Sequence, residues 1–191
     1  MRDIFPDGIR ILDLLEITGS TATTASWITC DQSSVSRIYR RVSDLLALDF
    51  CKEGGRYGAR NNLELLHCLR QAAQLLRLDQ GPQRLQWVSH ADVPLQPDLL
   101  SHSGPIPRCW NGAEQTLALL QQRVLDLAVL PHQPAAPPAA LRGMAVRPLR
   151  SHAPWRVLLL DELSEHASLQ RLIAQLEAAP LTSRIVVAAD A

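Results

Sequence analysis

Residues 19–41 read Gly-Ser-Thr-Ala-Thr-Thr-Ala-Ser-Trp-Ile-Thr-Cys-Asp-Gln-Ser-Ser-Val-Ser-Arg-Ile-Tyr-Arg-Arg. Ser20 is a natural N-cap, and the pattern behind it predicts a helix over 21–28 with Ala22, Ala25, Trp27 and Ile28 turned inward. A polar turn follows at 29–31. Asp31 caps a further helix predicted over 32–46. Val35, Ile38, Val42, Leu45 and Leu46 form its apolar stripe, leaving Ser33, Ser36, Arg37, Arg40 and Arg41 on the outer faces. Two short helices joined by a tight turn, the second amphipathic and basic, are a helix-turn-helix whose second helix suits a DNA groove.

The flanks fit this unit. Upstream, Asp7 can cap a helix over 8–18, with Ile9, Leu12 and Leu15 at intervals of three and Ile11 and Leu14 beside them. Gly19 ends it. Downstream, two extended runs flank Gly54-Gly55, a hairpin turn. A hairpin behind such a helix is a wing, and Lys52, Arg56 and Arg60 place cations on it. Between Arg37 and Arg60 stand six basic residues (Arg37, Arg40, Arg41, Lys52, Arg56, Arg60) against Asp44, Asp49 and Glu53. Lys52 is the only lysine of the chain, and arginine forks suit phosphate and guanine. The competing expectation is that Ser20 and Asp31 only cap, and that the arginines pair with Asp44 and nearby carboxylates.

From Leu63 to Leu78 the pattern is helical and apolar over more than one stripe, which predicts packing against a partner chain. Gln80-Gly81-Pro82 is a break. Beyond it we expect strands at 85–88, 107–110, 125–130, 144–148, 155–160 and 184–188. Helices are expected near 94–100 and over 113–123 and 164–178, with a proline/alanine loop at 131–138. Strands alternating with helices imply an α/β layer structure with a largely parallel sheet. The expected division is therefore 1–62, a winged helix-turn-helix; 63–80, a linker and dimerisation helix; and 81–191, a small α/β domain.

Composition bounds the function. The chain has 191 residues, is 47% hydrophobic and carries no formal net charge. A packed core is possible, and non-specific coating of nucleic acid is disfavoured. The four cysteines (Cys30, Cys51, Cys68, Cys109) lack zinc or redox spacing, and Cys68 beside His67 is only a weak ligand pair. His90, His102, His132, His152 and His166 show no metal spacing either. No catalytic motif, phosphate loop or paired carboxylate stands out, so we expect neither an enzyme, a cofactor nor a metal. No charged-then-apolar leader opens the chain, and no apolar run approaches the ~18 residues of a membrane span. The expectation is a cytoplasmic protein without membrane contact.

These residues resemble the LysR-type transcriptional regulators. Gly19-Ser20, the alanine-containing helix at 22–25, the Asp31-Gln32 turn, Val35-Ser36-Arg37, the wing over 48–60 and the helix over 63–78 carry the resemblance. Leu125-Asp126-Leu127-Ala128-Val129 adds a strand similar to one in the first half of that family's effector domain. The fold implied is a winged helix-turn-helix, a linker helix and one lobe of a periplasmic-binding-protein-like effector domain. Two departures stand out. Ala47 occupies the place of the family's usual glycine after the recognition helix, and Phe50-Cys51-Lys52-Glu53 lacks the usual wing arginine. The segment after Arg84 is also too short for two lobes.

The resemblance implies a sequence-specific regulator of transcription that binds double-stranded DNA as a dimer through the linker helix, or as a higher oligomer up to a tetramer. Gln32, Ser33, Ser36 and Arg37 are expected at base edges, where Gln suits adenine and Arg suits guanine. Arg40 and Arg41 are expected at phosphates, with Lys52 and Arg56 of the wing, and Ser20 and Thr21 also within reach of phosphate. Ser89 and His90, after the first strand of the α/β domain, are the candidates for a small-molecule effector pocket. The alternative is a degenerate relative acting as a protein-interaction module without effector sensing.

Overall fold

The computed structural model describes residues 4–90, 93, 112–131, 141–150 and 154–178. The readings at 94–100, 107–110 and 184–188, and most of that at 131–138, lie outside them.

Three helices build the head: α1 (Ile9–Thr18), α2 (Thr21–Trp27) and α3 (Gln32–Leu45). A hairpin of β1 (Cys51–Glu53) and β2 (Arg56–Gly58) follows, antiparallel with Lys52 opposite Tyr57. Gly54 and Gly55 turn it with φ of 56° and 86°, the pair of left-handed conformations that two-residue hairpin loops demand. The head is a winged helix-turn-helix. Ile9, Ile11, Leu12 and Leu15 of α1 meet Val35, Val42, Leu48 and Phe50 in its core.

Three local expectations are corrected. Asp7 does not cap α1: a wide helical turn over Ile4–Gly8 runs straight into it, so Gly8 takes the boundary without a side-chain bond. Ala22 is exposed, and Thr24 is buried in its place. The Thr24 hydroxyl shares a 2.9 Å hydrogen bond with that of Thr18, so burying it leaves no polar group unpaired. Leu45 is exposed, because α3 ends there and the next turn carries Leu48 into the core instead. That turn runs through Ala47 at φ 49° and Asp49 at φ 46°.

The second half is an α/β unit. Its sheet has the order β3 (Trp87–Ser89), β4 (Leu127–Pro131), β6 (Trp155–Leu160), β5 (Met144–Pro148). Among the described residues only β3 and β4 run parallel; β6 is antiparallel to both its neighbours. The expectation of a largely parallel sheet is thus corrected. The segment 149–154 is too short for a crossover, so β5 must return beside β6 as a hairpin. Side chains alternate along the strands. Trp87, Leu127, Val129, Val157 and Leu159 point to one core with α6 (Ala167–Ala178). Val88, Ala128, Leu130 and Leu158 point to the other with α5 (Ala113–Gln121).

Two helices tie the halves together. Leu14 and Ile17 of α1 sit in the α5-side core of the sheet. A helix apolar on several sides has to be covered on several sides, and α1 is covered by the head and by the sheet. The linking helix α4 (Leu63–Gln80) buries polar residues beside Leu66, Ala73 and Leu78. Its inward stripe includes Arg70, Gln74 and Arg77, all buried, while Leu63, Leu65, Leu75 and Leu76 stay 39–57% exposed.

Candidate nucleic-acid interface

Helix α3 starts on a well-made cap. Asp31 accepts from the Ser34 N–H at 2.7 Å, and its carboxylate also takes the hydroxyls of Ser33 and Ser34. Those hydroxyl donors, with the Ser34 N–H, hold the Asp31 carboxyl well below the usual carboxylate range. Ser20 caps α2 by accepting from the Thr23 N–H at 3.2 Å. Both residues therefore cap, as either expectation requires. The pairing half of the competing expectation does not hold: among the described residues the ion pairs of this surface are Arg60 with Asp49 and Glu53, and Arg37, Arg40 and Arg41 have no carboxylate partner.

The candidate residues fall into groups. Gln32, Ser33, Arg37, Arg40 and Arg41 are exposed on one basic surface of α3, with Ser36 half-buried among them. Gln32 Nε2 donates to Thr21 Oγ1 at 2.8 Å, joining the first residues of α3 and α2. Arg37 folds back along its own helix, with Nη2 3.1 Å from Ser34 Oγ and Nε 3.4 Å from the Ser33 carbonyl. Arg40 lies 5.8 Å from the centroid of the Tyr39 ring, within cation–π range.

The hairpin is fastened to the head rather than free. Lys52 Nζ donates to the Gly19 carbonyl at 2.6 Å and lies 5.5 Å from the Tyr57 ring. A Cβ on Gly19 would stand 3.1 Å from the Gly55 carbonyl, and Gly19 has φ 64°, so only glycine closes this corner without strain. Tyr39, Phe50 and Tyr57 pack ring against ring at 5.7–6.1 Å and lock α3 to the wing. Arg56 is exposed at the start of β2. Of the wing cations, Lys52 and Arg60 are thus engaged within the protein. The pattern search missed this aromatic cluster; its only signal was that both tyrosines and Phe50 fall within 39–57.

Behind the surface lies a buried ionic chain that the sequence analysis also missed. Arg70 Nε donates to Asp13 at 2.8 Å and Nη2 to Glu16 at 2.7 Å. Burial pushes both carboxyls above their ordinary values by more than the Arg70 guanidinium pulls them down. Burial also works against the Arg70 charge, but Asp13 and Glu16 together outweigh it. Two turns further, Arg77 holds Asp126, which also accepts from Gln74 Nε2 at 3.0 Å and the Gln86 N–H at 2.7 Å.

The effector candidates stand at the end of β3. Ser89 is buried, and His90 is half-buried, its ring 6.2 Å from that of Trp155. A groove of about 1290 Å³ lies instead between β2, the first half of α4 and α5, with Glu16 and Arg70 in its wall. His67 and Cys68 also line it. Among the described residues no three His, Cys, Asp or Glu side chains cluster as a metal site, and no helix is long and apolar enough to cross a membrane.

No family model matches the chain, and no curated protein matches it. Solved structures do. A probable transcriptional regulator from Pseudomonas aeruginosa is 20% identical, with 78% of this chain and 54% of that one covered and a TM-score of 0.38. ArgP from Mycobacterium tuberculosis is 19% identical, covering 74% and 51%, with a TM-score of 0.36. CrgA, a LysR-type transcriptional regulator from Neisseria meningitidis, is 17% identical, covering 75% and 52%, with a TM-score of 0.30. The chain spans about half the length of each of these structures.

Proposed function

We propose that this chain is a LysR-type, sequence-specific DNA-binding regulator of transcription that works as a dimer, or a higher oligomer, through α4. One observation carries the reading. The exposed side of α3 holds Arg37, Arg40 and Arg41, none with a carboxylate partner among the described residues, beside a wing clamped in place. Cations without carboxylate partners on the solvent side of a helix suit a phosphate backbone and groove edges. The exposed leucines of α4 support the oligomer: Leu63, Leu65, Leu75 and Leu76 face water on a helix that buries Arg70 and Arg77, and a second copy would remove that apolar surface from solvent.

A narrower reading, a protein-interaction module without DNA binding, is favoured by the internal engagement of Lys52 and Arg60. Salt-dependent gel shifts on genomic fragments separate the two. For the regulator, Arg37→Ala costs about 1–3 kcal/mol at preferred sites and relaxes sequence preference, while Arg41→Ala weakens all sequences alike and lowers the salt slope by about one. Retention of no fragment at low salt would leave only the interaction module.

A further inference from the structure

Thr21 and Gln32 are the first residues of α2 and α3, and their side chains meet through one hydrogen bond, Gln32 Nε2 to Thr21 Oγ1 at 2.8 Å. Thr21 is half-buried and Gln32 exposed. Both backbones are anchored just upstream, by the Ser20 and Asp31 caps. We infer that Thr21 is a positioning residue for base recognition: its hydroxyl fixes which edge the Gln32 amide offers to a duplex.

The chemistry follows from counting donors and acceptors. A glutamine amide has two N–H donors and one carbonyl oxygen. With one Nε2 hydrogen given to Thr21, the other and Oε1 remain side by side on the outer edge. That donor-plus-acceptor pair matches adenine N7 and N6–H in the major groove; guanine presents two acceptors and rejects it. An untethered Gln32 could rotate its amide and lose this distinction. In this role Thr21 acts through Gln32; the phosphate contact first expected of it is the alternative that the experiment below decides.

This inference rests on the DNA-binding reading, and one experiment separates the two. The full chain, at low salt, is used to select preferred sites from a randomised double-stranded oligonucleotide library. Each selected position is then changed base by base for the parent, Thr21→Val, Thr21→Ser, Gln32→Ala and the Thr21→Val/Gln32→Ala double variant. A bidentate pair discriminates by roughly 5- to 150-fold. We expect Thr21→Val to lose roughly 5-fold or more of the adenine-over-guanine preference at a single position, with Thr21→Ser keeping it. In the Gln32→Ala background the valine should have no further effect. A uniform loss across all sequences on Thr21→Val, or a loss that persists without Gln32, overturns the inference and returns Thr21 to the phosphate backbone. Retention of no duplex by the parent overturns the DNA-binding reading itself.

Discussion

Arg77 and Asp126 face each other as a fork on a fork, Nε to Oδ2 and Nη2 to Oδ1, both at 2.9 Å. They join the linker helix to the central strand β4 from inside the protein. Such a pair is costly to build and more costly to break, since removing one member strands the other without solvent. Arg77→Met should therefore lose about 3–5 kcal/mol, measured by urea unfolding. Arg77→Met/Asp126→Asn should recover part of that loss by removing the stranded charge. A single variant as stable as the parent would show that the pair carries no weight.

Asp13 and Glu16 set an unusual pH dependence. Their carboxyls are raised in the folded state above ordinary values of 3.8 and 4.5. The folded protein therefore holds protons that the unfolded chain has released, and stability falls as pH rises through the raised values. Their contribution is complete below the ordinary values and is lost as pH climbs from there to the raised ones, opposite to an acid whose folded value is depressed. Glu16→Gln cannot titrate, so the parent should lose stability relative to it as pH is raised from 4.5 to 7. Parallel curves in unfolding titrations would contradict this.

Ala47 follows α3 at φ 49°, a conformation that costs a residue with a Cβ about 1 kcal/mol and glycine almost nothing. Ala47→Gly should stabilise the protein by up to about 1 kcal/mol, less whatever the freer unfolded chain takes back. A shift to lower midpoint in urea would mean that the strain is absorbed elsewhere.

Leu75 and Leu76 are 54% and 39% exposed on α4. If a second copy covers them, Leu75→Glu/Leu76→Glu should convert the assembly to monomers in sedimentation velocity while the circular dichroism of the monomer stays intact. The buried stripe of α4 does not include these positions, so misfolding is not the expected outcome. An unchanged sedimentation coefficient would exclude this face as the contact.

Much of the head was legible because local rules and packing agree there. Ser20, Asp31 and the Gly54-Gly55 turn act as local chemistry dictates, and the stripe Val35–Val42 is buried as its period requires. Leu45 and Ala22 were misplaced because periodicity cannot say where a helix stops facing its core. Strand direction was misjudged because it depends on how long a connection is in space, not on the strand's own residues. The buried Arg70 and Arg77 were invisible for a different reason: arginine on a helix is ordinarily solvated, and only the fold reveals that Asp13, Glu16 and Asp126 arrive opposite. The candidate interface was legible as a list of residues, but not as an arrangement. That Lys52 clamps the wing while Arg40 leans on Tyr39 follows from tertiary placement.

The first helix spends Ile9, Leu12 and Leu15 on the head and Leu14 and Ile17 on the sheet. Front and back therefore share a structural member, like two rooms built on one wall. Domain shuffling depends on borders that can be cut and rejoined, and this border cannot. A recombinant that grafted this front onto another sensor would inherit a helix shaped for a neighbour it no longer has. Diversification of this architecture is thus confined to point changes on its surfaces and loops.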